Sequence, residues 1–159
     1  MTTDRAELRA FGVNLMLTVD ALFLGSAFFA FCYRRSQATE WRAAHDVAEW
    51  TRTPSWAAIA LLVLVPLVYA KGARQWIAGL LGFVAAGLLF YVCSAAPDLS
   101  LPGQDGLRAP RIAFVFFTII FALHATVFGI FSMTTPYIRR LLFGQAAFAL
   151  LVLPVVFSW

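Results

Sequence analysis

Five apolar runs, each close to the roughly 20 residues that cross a bilayer as a helix, divide this chain from end to end. They cover about residues 11–33, 54–70, 75–95, 111–133 and 140–158. In hydrocarbon a backbone must satisfy its own polar groups, so each run is expected to be a helix. The stops between them are clear. Arg34-Arg35 closes the first run and Lys71 the second. The Pro- and Gly-rich "APDLSLPGQDGLRAP" follows the third, and "TTPYIRR" turns the chain before the fifth. The expected fold is therefore all-α: a polytopic membrane protein with five transmembrane helices in one bundle. One integral membrane domain takes up residues 1–159.

Composition agrees. Hydrophobic residues make up 62% of the chain and charged residues 13%, whereas a soluble domain is about half apolar and a quarter charged. The net charge is +4, but the 12 Lys and Arg are scattered singly or in pairs. Without a clustered basic face, nucleic acid is not expected as a partner. Arg5, Arg9, Lys71, Arg74, Arg139 and Arg140 fall on one side of the membrane. Arg34, Arg35, Arg42, Arg52, Arg108 and Arg111 fall on the other. The first set sits in compact turns, which points to an N-terminus inside. The opening "MTTDRAELRA" is mixed in charge and unlike a cleavable leader, so the first span is expected to stay in the mature protein. Trp41, Trp50 and Trp56 mark the polar segment after the first span as either a short helix on the membrane surface or a loop with Trp anchors.

Polar residues inside the spans are few, which makes each informative. Asp20 is the only acid in any span and His124 the only histidine in one; Gln145 is a further intramembrane polar candidate on the fifth. Asp20 and His124 each lie about nine residues, or about 14 Å, from the inner end of their span and so share a depth. An ionisable group there is costly and by default functional or interface-facing. Three readings stand side by side: a buried Asp–His pair, two groups facing a common partner subunit or lipid cleft, or two groups that each hydrogen-bond locally. One histidine in a span cannot supply a bis-His haem site, and His45 belongs to the polar loop. The spans hold no histidine cluster for copper and no nucleophile–base set. Neither catalysis nor a bound cofactor is expected of this chain. Cys32 and Cys93 fall near outer span ends, as two isolated thiols or as a disulfide. Small residues at four-residue spacing let membrane helices approach closely. Ala78, Gly82 and Ala86 form such a stripe on the third span, as do Ala21 with Gly25 on the first and Ala125 with Gly129 on the fourth.

The first span, "LMLTVDALFLGSAFFAFCYRR", resembles the opening helix of the five-helix form of subunit III of the haem-copper oxidases. Asp20 stands where that family carries an intramembrane Glu, and Trp41 follows at a similar spacing. "FVFFTIIFALHATVFG" resembles the family's histidine-bearing helix, and "LVLPVVFSW" its C-terminal finish. With Gly129 matched to the family glycine, the family's two histidines fall on Ala122 and Ala125, which leaves His124 out of register. The resemblance implies a non-catalytic accessory subunit of a respiratory haem-copper oxidase complex in a bacterial cytoplasmic membrane. Such a subunit packs on the catalytic haem-copper subunit and other membrane subunits, binds phospholipid, and supports assembly and proton uptake. Haem and copper are expected in those partners. The alternatives are a haem- or quinone-binding anchor subunit of another respiratory complex, with His124 as ligand, and an accessory subunit of a nitric oxide reductase.

Overall fold

A computed structural model describes residues 2–37, 49–69, 73–94, 108–134 and 138–157. Every described element is an α-helix: α1 (Thr2–Gln37), α2 (Glu49–Val68), α3 (Ala73–Ser94), α4 (Arg108–Thr134) and α5 (Arg139–Phe157). Trp41, His45 and the segment around them lie outside the described residues. Four helices, α1, α3, α4 and α5, are long and apolar enough to cross a membrane. Here the sequence expectation of five is met only in part. Among the fully described residues the apolar section of α2, Thr53–Val68, is shorter. In the other direction, α1 runs well beyond its apolar stretch. Its 36 residues extend about 54 Å, nearly twice a hydrocarbon core of about 30 Å, so its polar N-terminal turns continue the same helix.

The helices α2, α3, α4 and α5 close a ring in which each packs on the next, and α1 lies outside it against α5 and α4. The ring core has two levels. Ile59, Leu62, Leu89, Val92, Phe117, Phe121, Leu153 and Val156 fill the half nearer the C-terminal end of α5. Val65, Tyr69, Ala78, Phe128, Ile138 and Leu142 fill the other. Lipid is as apolar as leucine, so burial alone does not hold such helices together; close packing does. The α3–α4 contact shows how. A Cβ placed on Gly82 would lie 3.3 Å from both the Ala125 carbonyl oxygen and the Gly129 Cα, and one on Gly129 would lie 3.3 Å from the Gly79 carbonyl oxygen. Ala78 and Ala86 of α3 are buried, and Ser132 of α4, also buried, donates to the Gly129 carbonyl of its own helix at 2.8 Å.

On α1 the expected stripe is not an interface. Gly25 has nothing within 4 Å of the position its Cβ would take, and Ala21 is exposed. Their spacing is right, but they point away from the bundle. The inward face of α1 is instead the row Val13, Leu17, Leu24, Phe31 and Arg35, at spacings of four or seven residues. Leu17 fits over Gly144 of α5, where a Cβ would collide with its Cδ2. Phe31 meets Phe117 edge-on at 5.7 Å, and Phe28 meets the same ring at 6.4 Å. These contacts are sparse: 11% of the apolar stretch of α1 is buried, against 39% for α3 and 44% for each of α4 and α5.

Candidate functional site

Asp20 occupies the inward row of α1, between Leu17 and Leu24, at a position the helical repeat would otherwise give to a core hydrophobe. His124 does the same on α4, in the row Phe114, Phe117, Phe121, His124 and Phe128. The two rows run antiparallel and meet, since Phe31 and Phe117 touch at one level and Asp20 and His124 at another. His124 Nε2 lies 3.6 Å from Asp20 Oδ1, with side chains 25% and 21% exposed respectively. That separation suits an ion pair and is longer than a hydrogen bond. The pair therefore sits at the rim of the contact, neither sealed in the core nor open along its length.

The imidazole is oriented from its other side. Nδ1 lies 2.8 Å from the Ile120 carbonyl oxygen one turn earlier. A carbonyl can only accept, so Nδ1 carries a hydrogen and donates it, which leaves Nε2 to face the carboxyl group. Phe128 packs edge-on against the ring at 5.9 Å and fixes its plane. His124 thus bonds a local carbonyl and also lies beside Asp20. No charged side chain of the described residues other than these two lies at this level.

Gln145 is buried on α5 and its Nε2 has no hydrogen-bond partner. Phe114 and Phe157 touch at 5.4 Å and set the register of the antiparallel α4 and α5. Counting from that contact at helical rise places Gln145 within about 3 Å of the depth of His124. Thr118, wholly buried on α4, likewise has an unpartnered hydroxyl.

Arg35 plays a part the sequence did not reveal. Its Nη1 donates to the Val155 carbonyl at 2.9 Å, in the last turn of α5, where carbonyls lack helical partners and positive charge is favoured. In the sequence it reads only as a flanking charge. Gly79, three residues before Gly82 in the same run, and Gly144, the one glycine of α5, are further close-approach positions that the four-residue spacing did not pick out. Cys32 and Cys93 are both free and half-buried. Among the described residues no group of three or more His, Cys, Asp or Glu could hold a metal ion.

Comparison with family models, with curated proteins and with solved structures gives no match to this chain.

Proposed function

We propose that this chain is a non-catalytic accessory subunit of a respiratory membrane complex of the haem-copper oxidase type, similar in role to subunit III. It would lie in a bacterial cytoplasmic membrane with the N-terminus inside, pack on a catalytic haem-copper subunit and hold phospholipid against its apolar flank. Haem and copper belong to the partner. The observation that carries the proposal is the Asp20–His124 pair, two ionisable groups at mid-depth on the rim of a membrane bundle. Such groups in a span mark a functional or interface position. The fifth span would be α2, a reading supported by its place in the ring between α3 and α5.

The anchor-subunit alternative draws less support. His124 has the Nδ1–H···O=C bond that orients a metal-bound imidazole, but its Nε2 is turned to Asp20. The test is co-purification. An affinity-tagged chain, expressed in its native host and extracted in mild detergent, should bring down a larger membrane protein with a haem absorbance spectrum. That spectrum should be unchanged by His124→Ala. Elution of the chain free of any haem protein would sink the proposal, and loss of haem in His124→Ala would favour the anchor.

A further inference from the structure

Between the two levels of the ring core lies a polar layer separate from the Asp20–His124 pair. Gln145 stands in the buried row of α5, only 8% exposed, and its Nε2 has no hydrogen-bond partner among the described residues. A buried donor left unpartnered is costly, and native proteins satisfy such groups with protein or with ordered water. A second polar group is set free nearby. Pro66 lies inside α2 and is fully buried. Proline has no N–H, so the Leu62 carbonyl, four residues earlier, loses its helical hydrogen bond. The proline ring abuts that carbonyl, so the freed oxygen lies on the face of α2 that Pro66 turns into the ring.

Register brings the two groups together. Val65 and Tyr69 share one core cluster with Ile138 and Leu142, whereas Ile59 and Leu62 share the other with Ala149 and Val152. The neighbouring helices α2 and α5 therefore run antiparallel. The Tyr69 hydroxyl is hydrogen-bonded to the Ile138 backbone, which fixes their alignment. Seven residues back from Tyr69 along α2 is Leu62, and seven on from Ile138 along α5 is Gln145. An orphaned donor and a freed acceptor thus lie at one depth inside the ring. We infer that Gln145 and the Leu62 carbonyl hold one ordered water between them, a buried site that ties α2 to α5. Water accepts from Gln145 Nε2 and donates to the Leu62 carbonyl, so it satisfies both at once. A direct bond between the two would leave Nε2 partnered, and it is not. The ligand must both donate and accept and must fit among the buried side chains of Leu62, Pro66, Leu142 and Ala146. Water meets those conditions.

Water-edited magic-angle-spinning NMR of the full chain in lipid nanodiscs tests this without reference to any partner complex. The Gln145 side-chain amide should show a water contact, whereas the backbone amides of Leu142 and Ala149 should show none. Pro66→Ala supplies the missing N–H to the Leu62 carbonyl and should weaken that contact. Stability gives a second, independent reading. Gln145→Leu strands the Leu62 carbonyl, so the unfolding midpoint should fall. In the Pro66→Ala background, where the carbonyl has its own partner, Gln145→Leu should no longer lower the midpoint. A Gln145 amide without a water contact, or one whose contact is undiminished in Pro66→Ala, would overturn the inference. So would a Gln145→Leu variant with a raised midpoint, since that is what removal of a merely unsatisfied donor produces.

Discussion

Asp20 and His124 are each set in a row of hydrophobes, and each is the exception in its row. A hydrocarbon-facing helix gains nothing from a carboxyl group unless a polar partner is close, and the structure places the His124 ring there at 3.6 Å. Substitution should therefore divide by hydrogen-bonding capacity rather than by size. Asp20→Asn should melt within about 0.5 kcal/mol of the wild type, whereas Asp20→Leu should lose about 1–2 kcal/mol by stranding the oriented His124 Nε2. Thermal melts followed by circular dichroism in one detergent at one pH check the pair; equal losses in the two variants would argue against a hydrogen-bonding role. The candidate residues themselves were legible in the sequence, because an acid and a histidine stand out in apolar runs. Arg35 was not, since a charge after a span reads as a flank until the end of α5 is seen beneath it.

Element by element, small residues matter only where a neighbouring helix comes close. Gly82 and Gly129 bring α3 and α4 together, with Gly79 beside them, whereas Gly25 looks into open space. Gly129→Val should cost about 1–3 kcal/mol by forcing those backbones apart, while Gly25→Ala should change stability by less than about 0.5 kcal/mol. Unfolding in a denaturing detergent titration measures both, and a large loss at Gly25 would place a packing contact on the outer face of α1. The sequence presents both stripes alike, since four-residue spacing says that a smooth face exists and nothing of what lies against it.

Across the molecule, α1 is a lightly attached helix beside a closed ring of four. If α2 crosses as proposed, with the N-terminus inside, the number of crossings is odd and the two ends lie on opposite sides of the membrane. A fluorescent-protein fusion at the N-terminus should then be bright, and an alkaline phosphatase fusion at the C-terminus active. Termini reported on the same side would leave four crossings. What the sequence determined by itself is the class and the helices: long apolar runs can satisfy their backbones in hydrocarbon only as helices. The charged and Pro-rich stops fall near the helix ends, although α1 begins at Thr2 and continues past Arg34-Arg35 to Gln37. It also picked out the groups that are costly at mid-depth. Only the tertiary structure decided which of those groups meet. That depends on how each helix is rotated about its axis and which side-chain rows interlock, and α1 and α4, far apart in the chain, settle it through contacts that no local pattern encodes.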